Sequence, residues 1–102
     1  MVETVIRKRI EILADTALVR RVTTAIDTVG ITGWTILPVN AGKGRDGLWH
    51  EEHVTGSDKS LVLTIASAEK AAALAGVLAP SLTSHGPLLS VGGVGGVRGG
   101  RF

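Results

Sequence analysis

Two helical segments, each placed between two short apolar runs, restrict the fold of this chain more than any other feature of its sequence. Apolar residues recur at helical spacing over 16–29, after the start signal Asp15 and before Gly30, which suits the end of a helix. A second helix is predicted to start at Ser67 and to end at Pro80, because proline cannot continue a helix. The chain is therefore built from two strand–helix–strand units.

Four strands are predicted around these helices, over 7–13, 34–39, 61–66 and 86–91. Pro38 lacks an N–H group, so the second strand lies at a sheet edge or frays at this residue. The order β–α–β–loop–β–α–β predicts an α+β, ferredoxin-like fold: an antiparallel four-stranded sheet with both helices on one face. The third strand is apolar throughout, so we expect it to be buried, with other subunits covering the second face of the sheet.

Composition limits the functional classes. The 102 residues fit one domain, 1–102, and a formal net charge of +2 without a basic stripe predicts no nucleic-acid partner. The absence of cysteine excludes disulfides and thiol chemistry, and suits a cytoplasmic location. Neither a signal peptide after Met1 nor an apolar run near the roughly 20 residues of a membrane span is evident. Without paired carboxylates or a nucleophile motif, we expect a non-enzyme with no catalytic residue, metal or other cofactor.

A polar stretch punctuated by glycine, 40–59, separates the two units, and a loop of this length in a small domain is typically functional. Near its start stands Gly42-Lys43-Gly44-Arg45. Glycines let backbone N–H groups approach an anion closely, and the two cations add charge. Phosphate binding is one interpretation, and a solvated turn is the other. No helix is predicted here, which excludes a dinucleotide-binding fingerprint.

The same stretch contains His50-Glu51-Glu52-His53. Val54 follows, so the zinc-protease pattern is absent, although two histidines three residues apart could share a metal ion on one helical turn. The simpler interpretations are a charged loop, or a binding tip for a protein partner around Trp49.

The segment 25–36, Ala-Ile-Asp-Thr-Val-Gly-Ile-Thr-Gly-Trp-Thr-Ile, resembles the end of helix one and the start of strand two in PII signalling proteins. The stretch 40–59 falls where those proteins have their T-loop, and the element order agrees over nearly the whole chain. The resemblance implies a homotrimer whose three sheets pack together and whose clefts between subunits bind a nucleotide. It makes 40–59 the T-loop and 92–102 a glycine-rich C-terminal tail.

Some positions depart from the nitrogen-regulatory PII proteins. The T-loop has no tyrosine, and Pro87 stands where those proteins have a lysine that contacts phosphates. With these differences, the sequence resembles the PII-like branch that is linked to inorganic carbon. This branch includes bicarbonate-transporter regulators and carboxysome-associated proteins. That branch implies ADP or AMP as favoured ligands, ATP or cyclic AMP as further ones, bicarbonate as co-ligand, and a transporter or carbon-fixation component as protein target of the T-loop.

The resemblance also implies site residues. One subunit would supply Gly33, Thr35, the Gly42–Arg45 turn and the loop 84–88, and its neighbour would supply apolar walls. Trp34 could anchor an interface or cover the base of the nucleotide, but we expect it to pack beneath a helix end. The implied nucleotide-binding residues are Leu13, Gly33, Thr35, Gly42, Lys43, Gly44, Arg45, Leu63, Ile65, His85, Gly86, Pro87, Leu88, Arg98 and Arg101, with Leu13, Leu63 and Ile65 from the neighbour. Bicarbonate binding is implied for Lys43, Arg45, Arg98 and Arg101.

Two other classes share the predicted fold. A trimeric metal-handling protein of the divalent-cation-tolerance type would use His50 and His53 rather than the glycine turn. An RNA-binding ferredoxin-like domain ranks last, because aromatic residues for base stacking on the sheet are missing.

Overall fold

The computed structural model of the chain describes residues 3–44, 47–50, 59–82 and 86–97, with the backbone alone for Trp49 and His50. The strands are β1 Val5–Asp15, β2 Thr35–Val39, β3 Ala41–Gly44, β4 Gly47–His50, β5 Lys59–Ala66 and β6 Leu88–Gly96. The helices are α1 Val19–Thr28 and α2 Ala68–Leu78, with single 3-10 turns at Thr16–Leu18 and Ala79–Ser81.

The main sheet has four antiparallel strands in the order β2-β5-β1-β6. This is the order of a ferredoxin-like fold, so the predicted α+β class is confirmed. Pro38 lies in β2 at one edge of the sheet. A strand there has a neighbour on one side only, so the lack of an N–H group is tolerated. The two βαβ units cross so that β1 and β5 form the centre.

The core lies between one face of the sheet and both helices. Ile10 and Ile12 of β1 alternate with exposed or half-buried neighbours, so one side of the strand carries the buried residues. Val22 and Ile26 of α1 and Leu74 of α2 complete the centre of the core, each with at most 2% of its surface exposed. The periods of two in the strand and 3.6 in the helices direct these side chains to a shared interior.

The other sheet face carries a leucine row, one residue on each strand. Leu37 is paired with Leu61, Leu61 with Leu13, and Leu13 with Leu88. Leu37 is 43% exposed and Leu88 is 68% exposed, so a single chain does not cover the row. In the single chain the burial of β5 alternates along the strand, so the predicted burial of its second face stays a prediction that depends on other subunits. The expectation of an uncovered second face agrees with the structure.

Two regions are more regular than the sequence predicts. Inside 40–59, β3 and β4 pair as a hairpin in the register from Ala41 and His50 to Gly44 and Gly47. The expected tail 92–102 begins within β6, which pairs with β1 as far as Gly96. Glycine has little preference for strands, but β1 supplies a long partner for the backbone of β6. Arg98 and Arg101 lie outside the described residues.

The helix ends largely follow their local chemistry. Gly30 has a φ of 84°, as expected after the last turn of α1. The Ser67 hydroxyl accepts a 3.2 Å hydrogen bond from the Lys70 N–H group, as an N-cap does. Asp15 does not cap the first helix; its carboxylate accepts a 2.7 Å hydrogen bond from Lys59 Nζ. The chain enters α1 through the 3-10 turn Thr16–Leu18, and the α-helix is shorter than the predicted 16–29.

Candidate functional site

A cleft of about 310 Å³ opens where β5 extends beyond β2. Thr35, the first residue of β2, is paired with Leu63, whereas Ile65 is paired only with Arg9 of β1. Past Leu63 the β2 side of β5 has no strand partner, and the segment leading into β2 forms the opposite wall. The cleft is lined by Thr32, Gly33, Trp34, Thr35, Leu63, Thr64 and Ile65.

A hydrogen bond from the core fixes the segment that leads into β2. The Thr64 hydroxyl donates to the Gly33 carbonyl at 2.6 Å, and Thr64 is only 3% exposed. Because a buried hydroxyl without a partner is costly, the bond determines how far the segment stands from β5. The sequence prediction did not include Thr64, although a threonine inside the apolar run Leu-Val-Leu-Thr-Ile-Ala is a signal for such a bond.

Trp34 borders the cleft beside α1. Its indole N–H group donates a 3.3 Å hydrogen bond to Asp27 Oδ1 near the end of α1, and 43% of the residue is exposed. The prediction that Trp34 packs at a helix end therefore holds only in part, since much of the ring surface stays open.

A smaller groove of about 60 Å³ adjoins the cleft through Thr32 and Ile65. At its side, Lys70 Nζ donates a 2.8 Å hydrogen bond to the Gly30 carbonyl. The ammonium thus lies just beyond the C-terminal end of α1, where a cation is favourable. This contact ties α2 to the turn that precedes the cleft.

The lining gives the cleft two chemical characters. Leu63 and Ile65 offer apolar surface, while the Thr35 hydroxyl and the unpaired edge of β5 offer hydrogen-bonding groups. Backbone N–H and C=O groups at a strand edge can recognise a ligand edge that alternates donor and acceptor, as another strand would. A planar heterocycle with such an edge fits this arrangement.

Four of the predicted residues meet in the cleft: Gly33, Thr35, Leu63 and Ile65. The assignment of Leu63 and Ile65 to a neighbouring subunit disagrees with this geometry, because Thr35 and Leu63 are paired within one chain. Leu13 does not line the cleft; it stands in the leucine row between Leu61 and Leu88.

The remaining predicted residues are spread over other parts of the chain. Gly42, Lys43 and Gly44 lie in β3, and Lys43 is exposed. Gly86 and Pro87 line a second cavity on the helix side of the domain. Arg45 and His85 lie outside the described residues, as do Arg98 and Arg101.

The metal interpretation receives no support from the part of the chain that the structure describes. No group of three or more His, Cys, Asp or Glu residues able to hold a metal ion occurs there. The backbone of His50 ends β4, and 51–53 lie outside the described residues. Among the described helices, none is long and apolar enough to cross a bilayer.

The fold and the cleft define a ferredoxin-like domain with a candidate ligand site at the free edge of a strand. A family model described as nitrogen regulatory protein P-II matches residues 7–100. The chain therefore belongs to the P-II family, and the resemblance found in the sequence is confirmed. No curated protein matches the sequence.

Several solved structures are similar to the chain, and the three described here show its fold. CPII from Thiomonas intermedia K12, bound to ADP and bicarbonate, is 22% identical, with 100% of this chain and 99% of that chain covered and a TM-score of 0.89. CPII bound to ADP, AMP and bicarbonate is 24% identical, with 100% and 98% covered and a TM-score of 0.84. The apo form of CPII is 18% identical, with 93% and 96% covered and a TM-score of 0.73.

Proposed function

We propose that the protein is a PII-like regulatory sensor, not an enzyme, that binds an adenine nucleotide and signals inorganic-carbon or energy status. ADP or AMP is the favoured ligand, ahead of ATP or cyclic AMP, and bicarbonate is the co-ligand. The observation that carries the proposal is the cleft of about 310 Å³, where Gly33, Thr35, Leu63 and Ile65 come together. Membership of the P-II family, and the CPII structures described with ADP and bicarbonate, support the same conclusion.

The base is the part of the nucleotide that the cleft suits best. An adenine ring would lie on the apolar side chains of Leu63 and Ile65. Its polar edge would face the free backbone edge of β5 and the Thr35 hydroxyl. In this arrangement Thr64 would act indirectly, by holding Gly33 in place.

The phosphates and bicarbonate need cations and backbone N–H groups. Lys43 is exposed in β3, at the base of the predicted T-loop. Among the described residues, it is the cation that we propose for binding the phosphates and bicarbonate. Arg45, Arg98 and Arg101 stay predictions for both anions. The same holds for the nucleotide contacts of Leu13, Gly42, Gly44, His85, Gly86, Pro87 and Leu88.

A homotrimer would cover the apolar sheet face that the single chain leaves open. The leucine row leaves apolar surface open on all four strands, and three such faces packed together would remove it from water. The clefts would then lie between neighbouring subunits. The T-loop, 40–59, would present a surface to a transporter or carbon-fixation component, carboxysomal or otherwise, in a ligand-dependent manner. The cytoplasmic location inferred from cysteine usage stays a prediction.

Calorimetric titration with AMP, ADP, ATP and cyclic AMP, each with and without bicarbonate, tests the proposal. We expect heat with ADP or AMP, and a lower Kd when bicarbonate is present. Thr35→Val should weaken binding about fivefold, as the loss of one hydrogen bond does. Thr24→Val, an exposed change on α1, is the matched control and should leave the Kd unchanged. Absence of heat with every nucleotide would refute the proposed function.

A further inference from the structure

A second cavity, of about 320 Å³, lies on the other side of the domain from the cleft. It is formed where the start of α1, the end of α2 and the segment before β6 meet, and we call it the helix-side cavity. Its volume is at the lower end of the range for sites that take small organic molecules. None of its lining residues is shared with the cleft, although two of them, Gly86 and Pro87, are also predicted to contact the nucleotide.

The floor of the helix-side cavity is the hydrophobic core itself. Val22 and Leu78, which are 2% and 5% exposed, belong to the core cluster and also line the cavity. Leu18, which is half-buried, forms a third apolar wall. Side chains of the described residues thus leave a slot that reaches the core, and an apolar group of a ligand would be removed from water there.

Two prolines stiffen the rim. Pro80 lies in the 3-10 turn after α2, and Pro87 lies just before β6. The pyrrolidine ring fixes φ, so each wall loses little further conformational freedom when a ligand enters. The two prolines therefore restrict the backbone of the rim at two positions.

The mouth of the cavity is positively charged without compensation. Arg21 lines the cavity, Arg20 is its neighbour, and the first turn of α1 holds no acidic residue. Within 3–44, 47–50, 59–82 and 86–97, neither guanidinium has an ion pair or hydrogen bond, and Asp15 nearby is bound to Lys59. Cations are unfavourable at the positive end of a helix. A bound anion would therefore reduce both the repulsion between the two arginines and their repulsion from the start of α1.

We propose that the helix-side cavity binds an amphipathic carboxylate, a medium-chain aliphatic acid or an aryl acid of similar size. The apolar body lies against Leu18, Val22 and Leu78, and the carboxylate bonds to the Arg21 guanidinium. Arginine suits this role because its planar fork can hold both carboxylate oxygens. The Ser81 hydroxyl, also in the lining, is a further donor.

Calorimetric titration of the wild-type protein with octanoate, in the absence of nucleotide, tests this site by itself. We expect a Kd below about 1 mM, and a Kd at least tenfold higher for butyrate, because each buried CH₂ group adds to the affinity. Octanol, which has the chain without the charge, should also bind at least about tenfold more weakly than octanoate. Amide NMR shifts on octanoate binding should fall on Val22, Leu78 and Gly86.

A pair of neighbouring variants separates the site from general charge attraction. Arg21→Gln should raise the octanoate Kd at least about tenfold, whereas Arg20→Gln, on the same turn but outside the lining, should change it less than about threefold. Equal effects of the two variants, shifts at the cleft instead of the cavity, or no binding of octanoate to the wild type would each overturn the proposal. None of these outcomes depends on whether ADP binds.

Discussion

At the scale of single residues, Thr64 connects the core with the candidate nucleotide site. Its side chain is buried on the helix side of the sheet, yet its hydroxyl reaches the Gly33 carbonyl at the cleft wall. The residue needs no contact with a ligand to influence binding, because it fixes the position of the wall.

Thr64→Val keeps the volume of the side chain and removes this hydrogen bond. We expect the free energy of unfolding to fall by about 1 kcal/mol, and the Kd for ADP to rise. Urea denaturation and calorimetry measure the two effects. Thr24→Val, on the exposed side of α1, is the control for the loss of a hydroxyl. If both variants unfold at the same urea concentration, the bond from Thr64 has no structural role.

Two glycines in and after helices should respond to alanine in opposite ways. Gly30 has a φ of 84°, where alanine is strained, so Gly30→Ala should lower the free energy of unfolding by about 1–2 kcal/mol. Gly76 lies inside α2 with open space around it, so Gly76→Ala should raise the free energy by about 0.5–1 kcal/mol. Thermal denaturation of the two variants gives the signs. Destabilisation by both changes would contradict this account.

Local chemistry explains which residue roles could be predicted from the sequence. Gly30 and Ser67 act on backbone groups within a few residues, so their places at helix ends follow from their neighbours. The Thr64 bond joins residues 31 apart, and nothing near Thr64 in sequence identifies Gly33 as its partner. The family resemblance implied that Gly33, Thr35 and Ile65 lie in one site. That all three come from the same chain is seen only from the register of the strands.

At the scale of elements, the β3–β4 hairpin gives part of 40–59 a regular structure that composition does not predict. Its sequence is rich in glycine, which has little preference for strands, and the pairing is visible only in the register. Gly47 has a φ of 103°, which a side chain would disfavour at this turn. The hairpin projects the loop from the end of β2, whereas the cleft lies at the start of that strand.

Ligand binding at the base of this loop should alter its exposure to proteases. We expect cleavage between Asn40 and Lys59 to slow several-fold when ADP is present, since a bound ligand reduces local opening. Mass spectrometry of timed digests measures the rate. Cleavage at Arg20 and Arg21 of α1 serves as the internal control and should change less. Equal slowing at both places would indicate general stabilisation rather than a response of the loop.

At the scale of the whole molecule, the two faces of the sheet have different tasks. One face is closed by helices, and the other shows the leucine row, which is half-buried on the two central strands and exposed on the two edge strands. The order of strands and helices in the sequence predicted this arrangement, because it places both helices on the same face of the sheet. It could not show how the row aligns across four strands, which depends on register alone.

Leu37→Glu should disrupt the assembly that covers this face, because it introduces a charge into the row. We expect light scattering to show a mass near three times 10.5 kDa for the wild type and a lower mass for the variant. Val77→Glu, on α2, is the control: Val77 is 50% exposed and Leu37 is 43% exposed, but only Leu37 lies on the open sheet face. An unchanged mass for Leu37→Glu would exclude this face as the interface.

The central place of β1 has a consequence for biosynthesis. β1 pairs with β5 and with β6, and its partner at Val5 is Gly96, so the first and last described strands lie side by side. During translation, β1 leaves the ribosome first but lacks one neighbour until nearly the whole domain has been made. Closing such distant contacts is slow in comparison with forming local ones. The complete sheet can therefore form only after synthesis of β6, and until then the nascent chain leaves one side of β1 unpaired.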